Sequence, residues 1–171
     1  MLRVILGLGG NLGDVRDSFV NSLGALGDGG QVGVVSRLWR TRAVGPAQPD
    51  YLNAAALLEW PSDSRQLFAR CLELERTAGR DRITEERWGP RTLDLDLLLA
   101  DNFVCVGPGL TVPHPRLHAR RFALEPAAEI APEWTHPLLG RTIAVLAEEA
   151  REREPDAILE VHDFEFLILN S

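Results

Sequence analysis

Thr92-Leu93-Asp94-Leu95-Asp96-Leu97-Leu98-Leu99-Ala100 reads as a strand, and its alternation decides both the fold and the chemistry. Residues i and i+2 of a strand share a face, so Leu93, Leu95 and Leu97 lie on one side and Asp94 and Asp96 on the other. Working outward, the 171-residue chain repeats a simple order. Leu2 to Leu8 is a buried strand. Asp14 is a helix N-cap, and the helix runs to about Leu26, where Asp28-Gly29-Gly30 ends it. Val32 to Thr41 and Leu52 to Trp60 are strands, joined by a loop containing Gly45, Pro46 and Pro49. Pro61-Ser62-Asp63-Ser64 caps a helix from Ser64 to Thr77, with Leu67, Phe68, Cys71, Leu72 and Leu74 on one face. The Arg-rich residues 79–91 form a second loop.

Strand, helix, strand, strand, helix, strand is the split βαβ order of ferredoxin-like folds. The expected class is α+β, a sandwich with a mixed or antiparallel sheet and helices on its faces. A hairpin around Phe103 to Val112, an irregular Pro-rich stretch and a last helix from Thr142 to Glu152 follow. The expected division is a main domain over residues 1–154. A C-terminal extension, 155–171, adds a strand or packs on the same body.

Composition removes several function classes. Hydrophobic residues make up 45% and charged residues 25%, as in ordinary globular chains. A net charge of −7 argues against nucleic acid as a partner. No apolar run suits a membrane span or secretory leader, so a cytoplasmic location is expected. Cys71 and Cys105 are read as free thiols. All 18 basic residues are arginine. A Walker-type lysine, a kinase-type lysine and a lysine Schiff base are thereby excluded. Any phosphate must be met by guanidinium forks, backbone amides or metal ions.

Four groups of residues carry possible chemistry. Asp94 and Asp96 repel each other unless cations lie between them, which suits Mg²⁺; two solvated carboxylates are the plain alternative. Arg80, Arg82, Arg87 and Arg91 can neutralise a polyphosphate while Trp88 stacks on a ring. They can equally pair with Asp81, Glu85 and Glu86. His114 is fixed between Pro113 and Pro115 near Arg116, His118, Arg120 and Arg121, and suits either a phosphate or a turn. Asn53, after Tyr51 and Leu52, offers the donor and acceptor that an amide-bearing heterocycle needs, or is a buried structural amide. Gly7 to Gly13 lacks the order of a dinucleotide fingerprint. A two-metal nucleotidyltransferase or nuclease and a non-catalytic ferredoxin-like ligand-binding module are the rival classes.

The run Arg87-Trp88-Gly89-Pro90-Arg91-Thr92-Leu93-Asp94-Leu95-Asp96 resembles the signature of the 6-hydroxymethyl-7,8-dihydropterin pyrophosphokinase family. Gly7 to Gly13, Pro49 to Ala55, Glu75 with Gly79-Arg80, Leu110 to Pro115, Arg120 and Phe122 match in the family's order. The resemblance covers about residues 1 to 146 and departs at Leu72, Gly109 and Arg42-Ala43. It implies transfer of pyrophosphate from ATP to a reduced pterin, in folate biosynthesis. Arg80, Arg91, Asp94 and Asp96 would be catalytic, the two aspartates holding two Mg²⁺. Glu75, Arg82, Arg91, Leu97, Thr111, His114 and Arg120 would bind ATP, the co-substrate. Thr41, Val44, Tyr51, Asn53, Trp88 and Phe122 would bind the pterin. The partners implied are small molecules, for a monomer or weak homodimer.

Overall fold

The computed structural model describes residues 1–83 and 89–166. Its central sheet holds β1 (Leu2–Gly10), β2 (Gln31–Val35), β3 (Leu38–Thr41), β4 (Tyr51–Trp60), β5 (Asp94–Ala100) and β10 (Ile158–His162). The strand order is β10-β3-β4-β1-β5, β2 also pairs with β4, and every pairing is antiparallel. β2 and β3 pair with successive parts of β4, so together they act as one broken strand. The sandwich is α+β and ferredoxin-like. No described helix is long and apolar enough to cross a membrane.

Alternation along β1 builds the two sides. Val4, Leu6 and Leu8 pack with Phe19, Leu23 and Leu26 of α1 (Val15–Gly27) and with Leu67, Cys71 and Leu74 of α2 (Ser64–Thr77). Ile5 faces the opposite layer, with Leu124 and Ala127 of α3 (Arg121–Ile130) and Leu146 of α4 (Ile143–Arg153). Asp14 caps α1 by accepting the Asp17 N–H, and Asp63 caps α2 by accepting those of Arg65 and Gln66. Cys71 and Cys105 are free thiols. Short hairpins are formed by β6 (Cys105–Gly107) with β7 (Leu110–Val112), and by β8 (Thr135–His136) with β9 (Arg141–Thr142).

Two elements differ from the sequence reading. The single strand expected from Val32 to Thr41 breaks at Ser36-Arg37. There the Ser36 hydroxyl accepts the Ala55 N–H at 2.9 Å and donates to the Arg37 carbonyl at 2.8 Å, competing with the ladder. The Pro-rich stretch contains α3, with Pro126 inside it. Proline disfavours a helix interior. Here burial of Ala123, Leu124 and Ala127 on one helical face outweighs the lost backbone bond.

Phe19 is fully buried and meets Phe164 edge-on, with ring centroids 6.4 Å apart. Phe19→Ala is expected to lower the unfolding free energy by about 3–5 kcal/mol in urea titration. A loss below about 1 kcal/mol would show that this layer is not tightly packed.

Candidate active site

The site lies at one end of the sheet, on the α3 side. Leu95 and Leu97 point to the α1–α2 core at 1% and 3% exposure, which turns Asp94 and Asp96 to the other face. On adjacent β1, the residues registered with that pair are Gly9 and Gly7. Without side chains they form the floor of a cavity walled by Asn53, Asp94, Asp96, Leu98 and Phe122. A Cβ on Gly9 would come within 3.2 Å of Asn53 Oδ1, so glycine is what leaves that amide room.

Arginines ring the carboxylates unequally. Arg80, nearly buried, donates through Nη1 to Asp94 Oδ1 and to the Leu93 carbonyl, and lies 3.0 Å from Glu75. Arg91 reaches Asp94 Oδ2 at 3.2 Å. Burial alone would raise the Asp94 pKa, but the Arg80 and Arg91 charges outweigh it and hold the carboxyl below its ordinary value. Among the described residues, Asp96 is paired with Arg120, at 3.6 Å. Burial, and then the charge of Asp94, push it up to about 7.

Glu75 lies beneath this ring. Its carboxylate accepts the edge-strand Leu95 N–H at 2.8 Å and grips Arg82 through two bonds of 2.8 and 2.9 Å. It therefore anchors Arg80 and Arg82 from a fully buried position.

On the far side, burial, and then Arg120 and Arg116, lower His114 to about 4, so its ring is neutral. Nδ1 accepts the Arg116 N–H at 3.1 Å, which puts the remaining ring proton on Nε2. Nε2 lies 3.4 Å from Arg120 Nη1. Two donors side by side suit an anion between them.

The opposite half is a slot. Asn53 is buried and donates to Thr41 Oγ1 at 2.8 Å. Tyr51 donates its hydroxyl proton to the Gly89 carbonyl at 2.9 Å. The half-buried Phe122 ring sits beside Arg120, 5.5 Å from its guanidinium carbon. Val44 is exposed on the loop that follows β3. Trp88 and Arg87 lie outside the described residues. Thr111 is half-buried on the short strand β7. Leu97 is in the core, on the face away from the aspartates.

The model of the family described as 7,8-dihydro-6-hydroxymethylpterin-pyrophosphokinase (HPPK) matches residues 5–132. The chain belongs to this family. A 2-amino-4-hydroxy-6-hydroxymethyldihydropteridine pyrophosphokinase of Synechocystis is 42% identical over 147 residues, 85% of this chain and 74% of the relative. The enzyme of that name from Pseudomonas aeruginosa is 36% identical over 161 residues, 91% of this chain and 98% of the relative. Among solved structures, a Plasmodium falciparum HPPK-DHPS with pteroate aligns with a TM-score of 0.68 at 12% identity. That alignment covers 90% of this chain and 44% of the other, and shows the shared fold.

Some residues that shape this HPPK site escaped the sequence reading. Gly7 and Gly9 form its floor, and their signal was glycine at i and i+2 in an otherwise apolar strand. Asn11 is buried; its Oδ1 accepts the Arg91 N–H at 2.8 Å and its Nδ2 donates to the Pro49 carbonyl at 2.9 Å. It ties the first loop to the Arg91 segment.

Asp96 yields a pH prediction. Its folded pKa lies above the ordinary value of about 4, so the contribution of Asp96 to stability without divalent cations falls as pH rises from about 4 towards 7 and is constant above. Asp96→Asn removes that loss. In chelator at about pH 8 the variant should unfold at higher denaturant than the native chain, and the gap should close towards pH 4. A gap independent of pH contradicts this assignment.

Proposed function

We propose that this chain transfers the β,γ-pyrophosphoryl group of ATP to the hydroxymethyl oxygen of 6-hydroxymethyl-7,8-dihydropterin, in folate biosynthesis. The products are AMP and the pterin diphosphate. The observation that carries the proposal is the position of Asp94 and Asp96: one face, beside the Asn53–Phe122 slot, inside a ring of arginines.

The donor set fits magnesium. Asp96 is a half-buried carboxyl whose ion pair among the described residues is Arg120 at 3.6 Å, and the Asp94 charge works against its ionisation. No third His, Cys, Asp or Glu joins a metal-sized group among the described residues. That suits an ion that takes one or two carboxylates and completes its shell with phosphate and water. In this reading Asp94 and Asp96 hold two Mg²⁺. Once bound, these ions would neutralise phosphate charge.

The protein's own groups do the rest. Asn53 presents its amide oxygen and its second N–H to the flat pterin edge, one N–H being engaged by Thr41. Phe122 forms one wall, with Tyr51 and Val44 at the margin. His114 Nε2–H and Arg120 donate to phosphate oxygens, and Arg80 and Arg91 do so from the opposite side. Thr111, Arg82 and the backbone around Leu97 complete the ATP half, with Glu75 bracing its arginines. The hydroxymethyl oxygen then bonds to the β-phosphorus as the bond from that phosphorus to the α–β bridging oxygen breaks. The hydroxyl proton passes to solvent water, and AMP departs with the bridging oxygen. Holding both substrates in line and meeting the developing charge supply most of the rate.

Incubation with ATP, Mg²⁺ and the reduced pterin should yield AMP in step with pterin diphosphate; ADP as the product would refute the reading. Asp94→Ala and Asp96→Ala should each reduce kcat by at least about 100-fold while remaining folded. Retained activity in either variant would remove the aspartates from the mechanism. Calorimetry with a non-hydrolysable ATP analogue should show binding that needs Mg²⁺ and is lost in both variants. Turnover of nucleic acid, or binding without any turnover, would favour one of the rival classes.

A further inference from the structure

We propose that Arg40, held by Glu160 of strand β10, is a positioning residue that fixes the 42–50 loop and so the pterin half of the site. The proposal rests on reading that half as the pterin pocket. The family match ends at residue 132, so it assigns no role to the C-terminal segment. That segment nevertheless touches the wall of the site at three places. The Arg42 N–H, at the start of the loop, donates to the Ala157 carbonyl at 3.0 Å. Arg121, between Arg120 and Phe122, donates through Nη1 to the carbonyls of Glu154 and Pro155, each at 2.7 Å. Third, Arg40 of β3 lies between two carboxylates. Its Nη1 reaches Glu160 at 2.9 Å, and its Nη2 and Nε reach Asp50 Oδ2 at 2.8 and 3.1 Å.

Asp50 is the point where this brace meets the loop. It lies between Pro49, whose carbonyl accepts from Asn11, and Tyr51, whose hydroxyl donates to Gly89. The loop end is thus held from the front by the Arg91 segment, through Asn11, and from behind by Arg40 and β10. Thr41, next to Arg40, orients Asn53 and pairs with Ile158 of β10.

Magnitude separates positioning from simple stabilisation. The Arg40 and Glu160 side chains are 41% and 50% exposed, and ion pairs that exposed contribute little to global stability. A planar guanidinium engaged on two sides still restricts where Asp50 can lie, which a lysine ammonium does not. Losing the brace should therefore loosen the loop while leaving the melting temperature nearly unchanged.

The test uses the full chain with Arg40→Gln, Arg40→Lys, Glu160→Gln and the Arg40→Gln/Glu160→Gln pair. Steady-state kinetics give KM for pterin and ATP separately, and hydrogen exchange follows the amides of residues 42–50 without ligand. Expected for Arg40→Gln are a pterin KM raised at least about fivefold, an ATP KM within about twofold and faster exchange confined to that loop. Arg40→Lys should not rescue it. Glu160→Gln should act in the same direction but add nothing in the Arg40→Gln background. Unchanged pterin KM and exchange would overturn the proposal, as would a parallel rise in both KM values with a lower melting temperature. If the native chain turns over no pterin, the functional reading fails first. The exchange result then still decides whether Arg40 orders the loop.

Discussion

Two carboxylates two residues apart on one strand share a face, and a buried pair of like charges is tolerated only with positive charge beside it. That constraint organises this end of the molecule. Asp94 is met by Arg80 and Arg91, and Glu75 beneath holds Arg80 and Arg82 in reach. Among the described residues Asp96 is paired with Arg120 alone, at 3.6 Å, and its pKa is raised. The site has thus satisfied one carboxylate with protein and left the other with unmet demand for a cation. In the proposed function a magnesium-bound triphosphate would supply that charge.

The fold makes this arrangement possible by what it leaves out. β1 runs between β4 and β5, and its Gly7 and Gly9 open a floor beside Asp94 and Asp96. Asn53 on β4 and Phe122 at the start of α3 then face the same space from different elements. The buried leucines of β1, β4 and β5 on the other face lock the register. A slip by one residue would turn the aspartates into the α1–α2 core. Stability and chemistry are therefore set by the two faces of the same strands.

Much of this was legible in the sequence, because alternation and caps are local signals. The strand at Asp94, the helix from Ser64 to Thr77 and the Asp14 cap follow from spacing alone. The same alternation placed the aspartates on one face, and the ten-residue run ending at Asp96 pointed to the family. What stayed hidden depends on contacts distant in sequence. Helix α3 forms despite Pro126 because its apolar face finds the sheet. The Ser36 break comes from a hydroxyl bonding across to Ala55. Asn11 joins residues 37 and 38 positions apart, and Glu75 works as an anchor under its arginines, a geometry that no local pattern encodes.

The central claim is that Asp94 and Asp96 together form the cation site. The most direct measurement is anomalous diffraction from a crystal grown with manganese in place of magnesium, a non-hydrolysable ATP analogue and the pterin. The account predicts strong anomalous peaks within coordination distance of both carboxylates, between them and the phosphates. Peaks elsewhere, or metal held by the nucleotide alone with neither aspartate in contact, would contradict it.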